Sequence, residues 1–283
     1  MTYKTILVHA NDERRFARLA AAAAELARSQ GAHLIGLAAM PQIPATAFDP
    51  GQAALTMLDT ERQIFQTLAA NLKAQFDAAT ADAAAHGYSA EWRTAGTGFE
   101  TVRDLVVAQG QTVDLVMACQ TDFEWPGSPR FDVPELLALE CGRPVLIIPN
   151  KGGKPFASRR VLVAWNATRE ASRAVFDALP LLANADEVEL LWLAPPDIAP
   201  ESADQALAGI TATLARHGTR CAVLRPTREP WAAGETILGE VERTRCDLLV
   251  MGCYGHSRLR EFIVGGASRH VLGEMTVPVL MSH

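Results

Sequence analysis

The sequence predicts two α/β domains in tandem, each built around a parallel β-sheet. The first observation is that short apolar runs, of the kind that buried parallel strands use, alternate with amphipathic helical stretches. The second is that this pattern occurs twice: residues 4–11 read KTILVHAN and residues 159–166 read RRVLVAWN. The third is that each half closes with Pro-Val-Leu, beginning at Pro144 and at Pro278. A repeat of this length indicates duplication of a whole domain rather than a solenoid.

In the first half, four strands and three helices are predicted in alternation. The strands are residues 6–8, 33–37 and 91–93, and a fourth that ends at Met117. Two helices are indicated by apolar residues at helical spacing, and a third spans residues 101–109. The apolar positions of the first two helices are Phe16, Leu19, Ala23 and Leu26, then Phe65, Leu68, Leu72, Phe76 and Ala79.

The second half repeats this order. Its strands are residues 161–163, 188–193 and 222–224, and a fourth that ends at Met251. Its third helix spans residues 235–243. The first two helices carry apolar positions at Ala171, Ala174, Ala178 and Leu182, then at Ala203, Leu207, Ile210 and Leu214. Right-handed crossovers place helices on both faces of each sheet. A polar Gly/Pro stretch at residues 150–155 separates the halves, so we expect domains at residues 1–150 and 151–283.

Composition narrows the class of protein. The chain has 283 residues, of which 49% are apolar and 20% charged, and its net charge is −6. This is a globular composition, and the acidic balance argues against a nucleic-acid or membrane-binding surface. No apolar run approaches a membrane span and no signal peptide is apparent, so we expect a cytoplasmic protein. The five cysteines show no Cys-x-x-Cys spacing and are expected to be buried thiols rather than disulfides or zinc ligands.

A glycine-rich segment follows the last long strand of the second half. Residues 251–257 read MGCYGHS, and residues 265–270 read GGASRH at the start of a helix expected from Ser268. Glycine lets the backbone approach a ligand closely, and the free N–H groups at a helix start favour anions. Ligands of open α/β sheets bind beyond the carboxyl ends of the strands. The segment therefore predicts a phosphate site.

This segment resembles the signature of the universal stress protein family, Gly-x2-Gly-x9-Gly followed by Ser or Thr. Together with the duplicated α/β layout, the resemblance covers nearly the whole chain and implies a tandem member that binds ATP or another adenine nucleotide. It also implies that the loop holds the phosphates, that the end of the first strand contacts the ribose or metal region, and that backbone after the second strand contacts adenine. Carried onto this chain, these positions are Gly252, Gly255, His256, Gly265, Gly266, Ala267 and Ser268 for the phosphates, Asn166 for the ribose, and Leu193 for adenine.

Two positions depart from the family pattern. Gly266 stands where the family has Ser or Thr, which removes a hydroxyl donor, although Ser268 is close enough to replace it. Asn166 stands where an acidic residue is usual. An amide can bond a ribose hydroxyl but brings no charge to attract Mg²⁺, so we expect no metal.

The first half is expected to bind no nucleotide. Ala118 and Thr121 stand at the positions of Gly252 and Gly255, and the Trp-Pro pair at Trp125 adds bulk and stiffness.

Six further residues near the loop each have a binding interpretation and an ordinary one. The histidines could contact phosphate or lie on the surface, and the arginines could neutralise phosphate or face solvent. The tryptophans could stack on a base or fill the core. These residues are His256, His270, Arg258, Arg260, Trp165 and Trp192.

Three hypotheses follow. The first is a stress-response sensor or regulator whose second domain alone binds the nucleotide, with slow ATP hydrolysis at most. The second is an interaction scaffold that no longer binds nucleotide and acts through an unidentified protein partner. The third is a related nucleotide-binding enzyme, which the sequence supports least because no Ser-Gly-Gly-x-Asp-Ser loop follows the first strand. The resemblance also implies that Val145–Ile148 pairs with Val279–Ser282, which would make the chain an intramolecular pseudo-dimer, with a homodimer as a further possibility.

Overall fold

The computed structural model describes residues 2–43, 52–151, 155–194, 199–226, 233–253 and 266–283. They form two compact units that divide between Cys141 and Gly142. Both units have the predicted α/β class, with helices alternating with strands of a mostly parallel sheet. Among the described residues, no helix combines the length and the apolar character that a membrane crossing requires.

The first unit contains a four-stranded parallel sheet in the order β3-β2-β1-β4. Its strands are β1 (Thr5–Ala10), β2 (His33–Ala39), β3 (Ser89–Ala95) and β4 (Leu115–Cys119). Its helices are α1 (Glu13–Gln30), α2 (Gln52–Ala79), α3 (Val102–Gly110), α4 (Ser128–Phe131) and α5 (Pro134–Glu140). The sequence analysis identified all of these except the short helices α4 and α5.

Local signals determine where α1 begins and ends. Asp12 is its N-cap and accepts a hydrogen bond from the backbone N–H of Arg14 at 3.1 Å. Gly31 ends the helix in the left-handed conformation at φ 59°, which glycine adopts without steric cost. The buried face of α1 packs Phe16 against Trp92 of β3, with ring centroids 6.2 Å apart. Phe76 of α2 lies 5.5 Å from the same ring, so one tryptophan joins both helices to the sheet.

The second unit contains a six-stranded sheet in the order β5-β10-β9-β6-β7-β8. Its strands are β5 (Val145–Ile148), β6 (Arg160–Trp165), β7 (Glu187–Trp192), β8 (Cys221–Leu224), β9 (Leu248–Gly252) and β10 (Val279–Ser282). Its helices are α6 (Arg169–Leu182), α7 (Pro200–Arg216), α8 (Ala233–Thr244) and α9 (Gly266–Glu274). Helix α9 begins at Gly266, two residues before the predicted start at Ser268.

The predicted pairing of the two Pro-Val-Leu strands is confirmed. β5 and β10 run antiparallel, with Leu146 opposite Leu280 and Val145 opposite Met281. Every residue of both strands is buried, so each covers an apolar edge that would otherwise be exposed. This pairing groups β5 with the second compact unit. Domain boundaries at residues 150 and 151, and the pseudo-dimer arrangement, remain predictions.

An aspartate before the last parallel strand of each repeat holds the start of the first strand. Asp114 accepts hydrogen bonds from the backbone N–H groups of Lys4 and Thr5, at 2.7 and 2.9 Å. Asp247 accepts from those of Arg159 and Arg160, at 3.3 and 3.0 Å. The two aspartates therefore occupy corresponding positions, which aligns the halves residue by residue.

Candidate functional site

Three predicted site residues lie at the carboxyl ends of adjacent strands in the second unit. Strands β7, β6 and β9 are neighbours and parallel, so their ends meet at one edge of the sheet. Asn166 follows β6, Leu193 follows β7, and Gly252 is the last residue of β9. The structure therefore brings these three positions together where an open α/β sheet binds its ligands.

The Asn166 side chain is held by the helix that follows it. Its Oδ1 accepts hydrogen bonds from the Oγ1 of Thr168 at 2.8 Å and from the backbone N–H of Thr168 at 3.3 Å. Thr168 is in turn the N-cap of α6 and accepts from the backbone N–H of Ala171 at 3.3 Å. Because the amide oxygen is used in this way, Nδ2 is the group of Asn166 that can bond a ligand, as a donor.

The backbone N–H of Leu193 is already used within the sheet, which leaves its carbonyl as the backbone group for a ligand. The backbone N–H of Leu193 donates to the carbonyl of Trp165 at 2.8 Å, which extends the pairing of β6 and β7 by one residue. A base that met this backbone would therefore be recognised through a donor such as an exocyclic amino group.

Gly252 lies against the first turn of α6. A methyl group on its Cα would lie 2.5 Å from the backbone nitrogen of Ala171 and 2.5 Å from the carbonyl carbon of Glu170. The next residue, Cys253, donates its N–H to the carbonyl of Ser282 at 2.9 Å. The start of the glycine loop is thus fixed between α6 and β10.

The other end of the loop is the first turn of α9. Gly266 is exposed, with open space where a side chain would project, and Ala267 is half-buried. Ser268 is only 4% exposed and has an interaction partner within the chain. The three remaining predicted site residues, Gly255, His256 and Gly265, lie outside the described residues, as do Arg258 and Arg260.

The aromatic candidates pack in the core. Trp165 and Trp192 are 5% and 4% exposed, which agrees with packing rather than with stacking on a base. The indole N–H of Trp165 is buried and has no hydrogen-bond partner among the described residues. His270 packs its Cβ against Gly234 of α8, which is the ordinary structural interpretation.

The alignment of the first half with the loop needs a correction. The sequence comparison placed Ala118 and Thr121 at the positions of Gly252 and Gly255 by allowing one inserted residue. Strands β4 and β9 have equal lengths, and they pair with β1 and β6 in the same register without a bulge. Counting from Asp114 and Asp247, Cys119 corresponds to Gly252 and Asp122 corresponds to Gly255. The first half still lacks both glycines.

A buried network of polar side chains occupies the corresponding edge of the first sheet. Arg15 Nε donates to Asp12 Oδ2 at 2.7 Å, and Arg15 Nη1 donates to the carbonyl of Gln120 at 2.7 Å. Arg15 Nη2 donates to Asp132 Oδ1 at 2.9 Å, and Asn11 Nδ2 donates to the same oxygen. Burial opposes the charge on Asp12, yet hydrogen bonds from Arg14 and Arg15 hold the pKa of that carboxyl below its usual value.

Trp125 covers this network. The guanidinium carbons of Arg14 and Arg15 lie 5.6 and 5.1 Å from the centroid of its ring, which is cation–π distance. Phe131 stacks on Trp125 at 5.6 Å. Beside it, Thr121 Oγ1 donates to the Glu135 carboxylate at 3.0 Å, and burial raises the pKa of Glu135. The Trp-Pro segment thus fills the space above the strands, as its bulk predicts.

The described residues contain no group of three or more His, Cys, Asp or Glu that could hold a metal ion. A groove of about 470 Å³ lies between α2 and β3 in the first unit. Met40, Phe65 and Trp92 form part of its lining, and Arg62 and Lys73 also border it. The groove contains none of the residues predicted to bind a nucleotide.

Sequence reasoning missed three residues that shape these sites. Thr168 orients Asn166. Its sequence signal was a threonine, a preferred N-cap residue, directly before a helical stretch. The backbone of Ala171 packs against Gly252. In the sequence, Ala171 is visible only as a small residue in the first turn of a helix. Asp132 lies far along the chain from Asn11 and Arg15, and no local pattern connects them.

Comparison with known proteins relates the second half of the chain to a known family. Residues 157–283 match the universal stress protein family. Universal stress protein Slr1230 of Synechocystis is 42% identical over 48 residues, a stretch that spans only 17% of this chain and 17% of that relative.

Solved structures match over the full length. A universal stress protein from Archaeoglobus fulgidus superposes with a TM-score of 0.68 at 16% identity, covering 99% of this chain and 96% of that one. A putative universal stress protein from Pseudomonas aeruginosa gives 0.58 at 16% identity, covering 99% and 93%. At these identities the likeness concerns the fold. Residues 157–283 thus match the universal stress protein family, and the whole chain shares the fold of solved universal stress proteins of similar length.

Proposed function

We propose that the second half binds one adenine nucleotide, with ATP as the first candidate, and that the protein acts as a nucleotide-dependent sensor or regulator in stress adaptation. The observation that carries the proposal is the convergence of Asn166, Leu193 and Gly252 at one sheet edge, next to a loop with the complete Gly-x2-Gly-x9-Gly spacing. The stress role follows from the family resemblance.

Each part of the nucleotide has a chemical partner in this arrangement. The N–H groups of Gly266 and Ala267 at the exposed start of α9 suit phosphate oxygens, as those of a helix N-terminus do. Asn166 Nδ2 suits a ribose hydroxyl, since Thr168 already occupies Oδ1. The Leu193 carbonyl suits the adenine amino group, since its N–H bonds Trp165.

Nucleotide binding in this proposal does not depend on a metal. Asn166 brings no negative charge to the place where a carboxylate would attract Mg²⁺. We therefore expect similar ATP affinity with Mg²⁺ and with a chelator, apart from the effect of Mg²⁺ on the nucleotide itself.

A second candidate is an interaction scaffold that has lost nucleotide binding. One observation favours it: Ser268, which would replace the missing hydroxyl at Gly266, is buried. In that case the fold would serve a protein partner instead.

Calorimetric titration of the purified chain with ATP distinguishes the two candidates. Gly265→Val places a branched side chain in the loop and is expected to abolish binding. Its matched control is Gly239→Val, at an exposed helical glycine with open space around it. Binding by the parent and by Gly239→Val, but not by a folded Gly265→Val, supports the proposal. No binding by the parent, or equal binding by all three, contradicts it.

A further inference from the structure

The Asp132 carboxylate is completely buried in the first unit, with 0% of its side chain exposed. It accepts hydrogen bonds from three groups on separate parts of the chain. These are Asn11 Nδ2 after β1, Arg15 Nη2 in α1 at 2.9 Å, and the backbone N–H of Asp122 after β4 at 2.9 Å. Three converging donors around one acidic group form a preorganised anion site.

Two of the three donors, Asn11 and Asp122, occupy positions that correspond to ones expected to bind the nucleotide in the other half. Asn11 corresponds to Asn166, since both follow the first strand of their repeat. Asp122 corresponds to Gly255 by counting along the sequence from Asp114 and Asp247, so its backbone N–H belongs to the position of a loop glycine. The Asp132 carboxylate therefore lies where the repeat would otherwise hold an anionic ligand.

We infer that Asp132 is an internal substitute for a ligand: it fills a latent oxyanion site in the first half, and removing its carboxylate opens that site to inorganic phosphate. The comparison of positions rests on the nucleotide site proposed for the second half, whereas the donors around Asp132 are observed directly.

The surroundings explain why the internal carboxylate excludes an external anion. Asp132 is attached to the same segment whose Trp125 covers Arg15, so its effective concentration at the donors is high. Free phosphate would have to displace it and lose its own hydration. Without the carboxylate, Arg15 and Asn11 would face a buried space with unbalanced donors, which is costly. A small oxyanion supplies the missing acceptors.

Thermal stability with and without inorganic phosphate tests this inference. All proteins carry Gly265→Val, so that phosphate bound by the second-half loop does not contribute whether or not that loop binds nucleotide. Asp132→Ala is compared with the parent and with Glu140→Ala, which removes the carboxylate partner of Arg103 in an exposed ion pair. Potassium chloride at equal ionic strength replaces phosphate in the reference samples.

Phosphate is expected to raise the Tm of Asp132→Ala by about 4 °C more than that of the parent or of Glu140→Ala, as binding at ten times Kd would do in a domain of this size. Adding Arg15→Gln should remove the extra shift. Equal shifts in all three proteins would overturn the inference. If Asp132→Ala does not fold, Asp132→Ser, which retains a polar group in less space, is judged by the same criterion.

Discussion

Gly252 and Ala171 approach so closely that a methyl group on Gly252 would lie 2.5 Å from the Ala171 backbone nitrogen. The first turn of α6 therefore rests directly on the end of β9. In the first half the corresponding residue is Cys119, a buried side chain, so the same strand end accommodates a larger group there. The first glycine of the loop is thus required by helix packing, before any contact with phosphate.

Gly252→Ala is expected to destabilise the chain by about 2 kcal/mol or more, because the new methyl meets backbone atoms that cannot rotate away. Urea unfolding measures the change. The matched control, Gly239→Ala, has open space around the new methyl and should stabilise α8 by about 0.5–1 kcal/mol. A Gly252→Ala protein as stable as the parent would show that α6 is not packed as described.

Gly266→Ser should strengthen ATP binding several-fold, since it restores a hydroxyl donor at the exposed first turn of α9 with no steric conflict. Gly239→Ser, at a distant helical glycine, is the control and should leave the Kd unchanged. Titration calorimetry measures the ATP Kd of both variants and of the parent. Weaker binding by Gly266→Ser would contradict phosphate contact at this turn.

Thr168→Ala should lower ATP affinity several-fold and stability by about 1 kcal/mol, because Thr168 both caps α6 and orients Asn166. Thr101→Ala removes a cap of the same kind from α3, where the Thr101 hydroxyl accepts a hydrogen bond from the backbone N–H of Asp104 at 3.1 Å. That variant should lose similar stability and keep full affinity. Thr168→Ser should restore both properties, and an unchanged Kd in Thr168→Ala would contradict the role given to Asn166.

His9 should make the protein acid-sensitive. Burial, with repulsion from Arg15, lowers the pKa of His9 from 6.5 to about 4, and neither ring nitrogen has a partner among the described residues. Between pH 4 and pH 6.5 the unfolded chain therefore binds more protons than the folded chain, because only the unfolded His9 becomes charged there. The stability that depends on neutral His9 is complete above pH 6.5 and is lost as pH falls toward 4.

His9→Leu removes this titration and two unpaired polar atoms. Relative to the parent, its free energy of unfolding should gain about 2 kcal/mol between pH 7 and pH 4.5. The difference isolates His9 from Asp12 and Glu135, whose carboxyl groups titrate in both proteins. Parallel pH curves for the two proteins would contradict this assignment.

The sequence predicts the alternation of strands and helices because apolar periodicity and the repeated motif are local and strong. It also identifies Asn166 and Gly252 at strand ends. It could not reveal the Asp132 network, because Asn11, Arg15 and Asp122 reach Asp132 only through tertiary structure. The alignment of Ala118 with Gly252 failed for a related reason: similar Met-x-Cys letters suggested an insertion, whereas hydrogen bonds to Asp114 and Asp247 determine the true register.

The number of adenine nucleotides bound per chain tests the central claim most directly. The protein is purified without added nucleotide and denatured, released small molecules are identified by mass spectrometry, and the stripped protein is titrated with ATP. We expect one site per chain, lost in Gly265→Val and retained in Gly239→Val. Two sites per chain would contradict the filled first half, and no release together with no binding would contradict nucleotide binding by the second.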